Sequence, residues 1–385
     1  MLEVTVAPMT THQPQRHVAH SMFLLSRPTQ ICCVCVRTAG LDDSGPASSY
    51  APRTAGRQKG QIRRPPLAAP MPTCSRCGAP AVTYLRHAGR HLCADHFREL
   101  VERRAQHAIR DQCELRGGGT VAVAVSGGKD SMTCLDLVRR TLAPRRDARV
   151  VAITVDEGIA GYRDRSIPVV ADYCEAHGVR HVVTSVLEEQ GATLDEVAAL
   201  GLPETPCAFC GVWRRWSLNR AARREGARYL ATGLNLDDTA QSVLMNVCRA
   251  DVERMARLGP HGTVQPGLVP RVQPLRWIPE VETYLYALLT GIPIHNAECP
   301  HSSRAQRGRY RAMLHGLLEE EPGASHALVR ALDKLRPALA GMLPPAVLGP
   351  CQRCGEPTPG GGTCKACALS GRAREALGRA PPPGG

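Results

Sequence analysis

At 385 residues the chain is long enough to bury a full α/β core and still carry one or two small modules. Its formal charge of +13 suits a polyanionic partner such as RNA, while aromatics at 4% argue against recognition by many stacked bases and leave charge and shape to do the work. Seventeen cysteines, with four C-x-x-C pairs beyond residue 70, in a long chain without a convincing secretory signal point to metal binding or catalysis rather than disulfides. With no apolar run near the roughly 18–20 residues that span a bilayer, a cytoplasmic protein with no membrane contact is expected.

Residues 1–70 lack sustained periodicity and carry eight Lys/Arg against three Asp/Glu. They are expected to be disordered, or an upstream extension of a chain whose true start is Met71. The cluster Cys32-Cys33-Val34-Cys35 is too isolated to define a metal site. Ordered sequence then opens with Cys74-x2-Cys77 and, fifteen residues on, Cys93-x2-His96. Two such knuckles supply the four ligands of a closed tetrahedral zinc site, with His91 a poorer substitute because only His96 completes the second knuckle. Residues 71–115 are therefore expected to be an N-terminal zinc finger with a linker helix.

From Thr120 the pattern alternates strand and helix: a strand Val121–Val125, a helix from about Ser131, a strand Val150–Val155, a helix near Pro168–His177 and a strand His181–Leu187. A helix Val212–Arg224, a strand Arg228–Thr232 and a helix Leu236–Cys248 follow. The fold class this predicts for residues 116–340 is α/β, a parallel sheet with helices on both faces, whose ligands bind at the carboxyl ends of the strands.

At the first of those ends stands Ser126-Gly127-Gly128-Lys129-Asp130-Ser131. A Walker A loop would need a glycine five positions before Gly128, where Val123 stands, and Ser or Thr after Lys129, where Asp130 stands. Two glycines can still turn backbone N–H groups toward an anion at a helix N-terminus, with Lys129 placing an ammonium and Ser126 and Ser131 hydroxyls near phosphate. Later strand ends carry Asp156, and Gly233 followed by Asp237 and Asp238. These carboxylates could hold magnesium or orient ATP, or merely cap a helix. Arg214 and Arg215, on the helix after Cys210, could meet ATP or RNA phosphate, or form an exposed basic face.

Cys207-x2-Cys210 has no second pair nearby, and its most plausible third partner is Cys299, across 88 intervening residues from Cys210. Spacing leaves three options open: an iron–sulfur cubane with one iron free of protein ligands, a redox disulfide with a persulfide on Cys299, or a zinc site completed elsewhere. Beyond Gly341 the chain turns Pro- and Gly-rich around Cys351-x2-Cys354 and Cys364-x2-Cys367, a second zinc ribbon expected over 341–370 with a disordered tail over 371–385.

The hexapeptide S-G-G-K-D-S resembles the pyrophosphate-binding loop of the N-type ATP pyrophosphatases. Together with the N-terminal knuckles, C-A-F-C-G-V-W-R-R, G-L-N-L-D-D-T-A-Q-S-V-L-M-N, E-C-P-H-S and the final quartet, it looks like the tRNA 2-thiolation enzymes of the TtuA and NcsA type, over about residues 72–370. The resemblance implies ATP and Mg2+ bound around Ser126–Ser131, Asp156, Gly233, Asp237, Asp238 and Arg214, two zinc ions, and a 4Fe-4S cluster on Cys207, Cys210 and Cys299. It implies adenylation of the C2 oxygen of a tRNA uridine, with Lys129 and Asp238 at the chemistry, then sulfur attack at C2 and departure of AMP. A ubiquitin-like carrier's thiocarboxylate would bring the sulfur, and a homodimer is expected. Thr239 stands where the family commonly has an acidic residue, which leaves the aspartates intact. A cytidine 2-thiolase is a close alternative. A lysidine synthase has no need of the three cysteines, and a noncatalytic zinc-ribbon RNA-binding protein leaves the loop without a purpose.

Overall fold

The computed structural model describes residues 71–261, 264–302, 307–343 and 347–380. The segment 1–70 and the last five residues, for which disorder is expected, lie outside the described residues. The described chain opens with a hairpin, β1 (Thr83–Leu85) against β2 (Arg90–Leu92), and a long helix α1 (Ala94–Gln112). Phe97, Val101, Ala105 and Ile109 recur every four residues on α1 and are all buried, so one stripe of the helix docks it into the core.

The central sheet contains β3 (Gly119–Ala124), β4 (Ala148–Asp156), β5 (Arg180–Ser185), β6 (Ala227–Thr232) and β7 (Arg271–Val272), all parallel, in the order β5-β4-β3-β6-β7. The connecting helices are α2 (Lys129–Leu142), α3 (Arg163–Ala176), the short α4 (Val186–Gln190) and α5 (Leu194–Ala199), α6 (Pro206–Arg224), α7 (Leu236–Val247), α8 (Val252–Ala256) and α9 (Glu280–Thr290). The Val/Ala alternation of β3 sorts the two faces. Val121 and Val123 pack with Met132 of α2 and Tyr286 of α9, and small Ala122 leaves room on the other face for Phe209 and Trp213 of α6. The expected class, a parallel sheet covered on both faces, is the observed one.

Helices α10 (Arg307–Glu320) and α11 (Ala324–Met342) pack on α7, and a second hairpin, β8 (Leu348–Pro350) with β9 (Pro357–Pro359), leads into α12 (Lys365–Ala376). This terminal module is fastened to α6: the Trp213 indole N–H donates to Ser370 Oγ at 2.9 Å, and Arg223 pairs with Glu356 at 3.0 Å. The boundary expected at residue 370 falls inside α12, because the apolar stripe of that helix continues through buried Leu369 and Ala373.

Three differences from the expected bounds have a local cause or consequence. The strand expected over His181–Leu187 ends at Ser185, whose hydroxyl accepts the Glu188 N–H and starts α4. Helix α3 begins at Arg163, five residues before the expected Pro168. Helix α6 begins at Pro206 rather than Val212, with Thr205 as N-cap and proline at the first position, so Cys207 and Cys210 lie within its first turns.

Candidate active site

The chain runs β3-β4-β5 to one side of the sheet and returns at β6 beside β3, so the order reverses between β3 and β6. The Ser126–Ser131 loop leaves β3 at this switch point, where open α/β sheets take their ligands. Ser126 N–H donates to Ser131 Oγ (3.0 Å), and that hydroxyl donates to the Gly128 carbonyl (2.9 Å), closing the loop on itself. Gly127 has φ +83°, and a Cβ there would stand 2.9 Å from the Ser166 carbonyl oxygen. Gly233, leaving β6, presses on the first turn of α2, where a Cβ would meet the Asp130 carbonyl oxygen at 2.8 Å. Both glycines are therefore dictated by space, one also by conformation.

The charged groups around the loop are paired. Lys129 Nζ lies 2.9 Å from Asp130 and 2.8 Å from Glu280 of α9. Burial disfavours the Lys129 charge, but these carboxylates outweigh it and raise the ammonium above its ordinary range. Asp130 also accepts from Asn235 Nδ2 (3.1 Å), and burial pushes its carboxyl up. Asp237 accepts from Ser325 Oγ (2.6 Å) and from the Glu280 N–H (2.8 Å). Asp238 completes a capping box with Asn235 and pairs with Arg307 at 3.1 Å. Burial nevertheless leaves its carboxyl above the ordinary range. Asp156 accepts the Gly158 N–H at 2.9 Å, shaping the turn that follows β4. A cleft of about 600 Å³ opens beside Lys129, Asp237 and Glu280 and reaches Arg311 and His315 of α10.

Cys207 and Cys210 are three residues apart on α6, and Cys299 joins the same partly buried cluster as Cys210. Among the described cysteines all are free thiols. Burial, and after it the neighbouring Cys299, pushes the Cys207 thiol up, and burial does the same for Cys210. Three neighbouring thiols on a helix start and a loop fit a cluster that takes three protein ligands.

Two connections join loop and cysteines. Ser126 O accepts from Arg163 (3.0 Å). Arg163 pairs closely with Glu157, the Glu157 carboxylate accepts from Arg214 Nε (2.8 Å), and Arg214 donates onward to Cys210 Sγ (3.0 Å). Burial opposes the Glu157 charge, yet the Arg214 and Arg163 guanidiniums hold its carboxyl below the ordinary range. On the other side the His295 N–H donates to the Gly127 carbonyl at 2.8 Å, four residues before Cys299. Arg214 is thus held between a carboxylate and a thiol, partners that an ATP phosphate would have to share. Glu157, Arg163, Glu280 and His295 were not legible as site residues, since each acts on a partner distant in the chain or on a backbone atom. The lone carboxylate beside Asp156 was the one available signal.

The two cysteine-rich quartets each bring their ligand atoms together. The ligand atoms of Cys74, Cys77, Cys93 and His96 all lie within 4.8 Å of one another, as do those of Cys351, Cys354, Cys364 and Cys367. Zn–S bonds of about 2.3 Å at tetrahedral angles put sulfurs about 3.8 Å apart. The Cys77–Cys93, Cys351–Cys367 and Cys354–Cys364 separations are 3.8, 3.9 and 3.7 Å. His96 turns Nδ1 inward, 3.4 Å from Cys74 and 3.3 Å from Cys93. Cys351 is prepared as a thiolate: burial raises its pKa, but N–H groups of Cys364, Arg353 and Cys354 aimed at the sulfur bring it to about 6.

A parallel sheet with this loop at its switch point defines a PP-loop protein, and a PP-loop domain model matches residues 98–259. The model for the N-terminal LIM domain of 2-thiouridine synthetase TtuA matches residues 73–98. The tRNA 2-thiolation protein NcsA of Haloferax volcanii is 37% identical over 322 residues, covering 77% of this chain and 97% of that protein. The tRNA-5-methyluridine(54) 2-sulfurtransferase of Thermus thermophilus is 33% identical over 297 residues, covering 77% and 90%. The structure of the U34-tRNA thiolase NcsA from Methanococcus maripaludis with its [4Fe-4S] cluster superposes with a TM-score of 0.68 at 32% identity, over 78% of this chain and 96% of that one. The chain belongs to the NcsA/TtuA family of tRNA 2-thiolation proteins.

Proposed function

We propose that this chain is a tRNA 2-thiouridine synthase that spends ATP, releasing pyrophosphate and AMP, to replace the C2 oxygen of a uridine with sulfur. The observation that carries the reading is the pair of connections from the loop, through Arg163, Glu157 and Arg214 to Cys210 and through His295 toward Cys299. An adenylating site and a thiol centre on one rigid frame suit a reaction that must activate an oxygen before sulfur displaces it.

The loop amides at the start of α2 receive the phosphates of ATP, with Lys129 exchanging Glu280 for phosphate oxygen and stabilising the charge that develops. Asp237 and Asp238 sit where they can orient the nucleotide or share its Mg2+ once their present partners yield. The oxygen at C2 is a poor leaving group until it is bonded to phosphorus, so adenylation precedes the sulfur step. Cys207, Cys210 and Cys299 would hold the 4Fe-4S cluster, which supplies an iron free of protein ligands to carry sulfur. Arg214, donating to Cys210, favours the thiolate that such a ligand must be. The quartets at Cys74/Cys77/Cys93/His96 and Cys351/Cys354/Cys364/Cys367 would each hold one zinc, within an N-terminal finger over 71–115 and a C-terminal ribbon flanking the catalytic domain. A ubiquitin-like thiocarboxylate carrier as sulfur source, a homodimer and cytoplasmic residence complete the reading.

Nucleoside mass spectrometry of tRNA from a deletion strain, mapped by position, tests it. Loss of 2-thiouridine at one position, restored by the wild-type gene, is expected. An unchanged thionucleoside profile would overturn the assignment. The relatives' names place their targets at U34 and at position 54, so the map also fixes the uridine.

A further inference from the structure

Apart from the loop cleft, the molecule carries a larger groove of about 1170 Å³ between α6, α4 and the terminal module. Its lining includes six arginines against three glutamates, and Glu204 and Glu196 reach two of those arginines from outside it, leaving an excess of one positive charge. Trp216, Arg220 and Arg224 follow one another every four residues along α6 and form one wall. The Arg220 guanidinium stacks over the Trp216 ring at 5.1 Å, and the Trp216 N–H donates to Cys354 Sγ at 3.4 Å. The platform is therefore anchored to a ligand of the C-terminal quartet.

The arginines are not equivalent. Arg372 pairs with Glu204 at 2.5 Å, Arg379 pairs with Glu196 at 2.6 Å, and Arg374 donates to the Gln190 carbonyl. Arg224 lies 3.9 Å from Glu189. Among the described residues Arg220 and exposed Arg353 have no carboxylate within ion-pair distance. Two uncommitted guanidiniums, one on an aromatic platform, match a chain of phosphates, which offers repeated anionic oxygens and flat bases. Helix α6 also carries Cys207 and Cys210 in its first turns, with Arg220 ten residues, about 15 Å of helical rise, beyond Cys210.

We propose that this groove binds the sugar–phosphate backbone of the substrate tRNA, with Arg220 and Arg353 contacting phosphates beside Trp216, while the target uridine lies at the cysteine end of α6. The assignment rests on the thiolation reading. It makes the C-terminal quartet part of the RNA site and not only a fold staple.

The test uses the full, metal-loaded chain carrying Arg220→Glu and Arg353→Glu together, with Arg220→Gln/Arg353→Gln as the milder pair if the first fails to fold. Unmodified tRNA transcript is titrated by fluorescence anisotropy over a series of KCl concentrations. The dissociation constant should rise at least tenfold, and the slope of log affinity against log salt should fall by about 2 for two lost phosphate contacts. ATP binding and zinc content should match wild type, and in thiolation assays KM for tRNA should rise with kcat nearly kept. Wild-type affinity and slope in the variant overturn the groove assignment but leave the thiolation reading standing, as does weaker binding with an unchanged slope. If tRNA affinity is kept and only sulfur delivery from a protein donor is lost, the groove belongs to the carrier and the assignment is overturned. Wild-type protein that neither binds nor thiolates tRNA overturns the underlying reading instead.

Discussion

A methyl group on Gly127 would stand 2.9 Å from the Ser166 carbonyl oxygen, on a residue whose φ of +83° already disfavours a side chain. Gly127→Ala should therefore displace the loop amides and weaken ATP binding at least tenfold, or about 1.4 kcal/mol, as calorimetric titration would read. Unchanged affinity would mean that the nucleotide does not sit on these amides. Glu157 makes a different demand, because it is fully buried between two guanidiniums. Glu157→Gln strands the buried Arg163 charge and should cost roughly 3–5 kcal/mol in urea unfolding. Its carboxyl is held below the ordinary 4.5, so this stabilisation is present above about that pH and is lost as acid protonates the folded carboxylate. The loop was legible in the sequence because its residues are consecutive. The Glu157 network was not, since Arg163 and Arg214 reach it from two different helices.

At the scale of elements, short spacing decided what could be read. Each quartet comes from knuckles separated by one turn or hairpin, and both close to tetrahedral edge lengths. Helix α6 starts six residues before the expected Val212, at Thr205-Pro206, a recognisable helix start, so the cysteines belong to the helix itself. Cys351→Ser should remove one of about two zinc ions per chain by this ligand count, measurable by metal analysis. It should also shift tryptophan emission to the red, because fully buried Trp213 is covered by α12 through Ser370. Loss of metal without that shift would mean that the ribbon folds without its ion. At the other end His87, beside β1, stacks on His326 of α11 at 4.7 Å, with Arg104, Arg330 and Glu282 nearby. Burial first, then His87 and the arginines, pushes His326 down to about 4. The unfolded imidazole takes a proton near 6.5 while the folded one resists. Stability is thus complete above about pH 6.5 and falls as pH drops toward 4. After screening, this site should contribute about 1 kcal/mol of loss between pH 7 and 5. His326→Asn should flatten that part of the profile in denaturant titrations at several pH values.

For the whole molecule the question is whether adenylation and sulfur transfer share one frame but separate groups. Cys299 is brought to Cys207 and Cys210 across 88 intervening residues, by the same segment whose His295 N–H holds Gly127. No spacing rule reaches that far, so Cys299 could be named as a partner but the kind of centre it completes came from family resemblance, and the fold supplies the physical reason. Replacing any one of the three cysteines with Ala removes a thiol but leaves the backbone hydrogen bond from His295 and the loop's internal bonds in place. ATP affinity should therefore stay within about threefold of wild type, under 1 kcal/mol, while thiolation is abolished and the iron content of anaerobically purified protein falls. Lys129→Ala should do the reverse, keeping iron while losing the adenylating step. The two kinds of variant together separate the centres. A persulfide mechanism would also make the cysteines essential but would not need iron, so the deciding sample is wild-type protein stripped of iron under anaerobic conditions. The cubane reading requires it to be inactive and to recover on reconstitution with iron and sulfide. Full thiolation by rigorously iron-free protein would remove the cluster from the mechanism while leaving the loop, the cysteines and the tRNA substrate where they are.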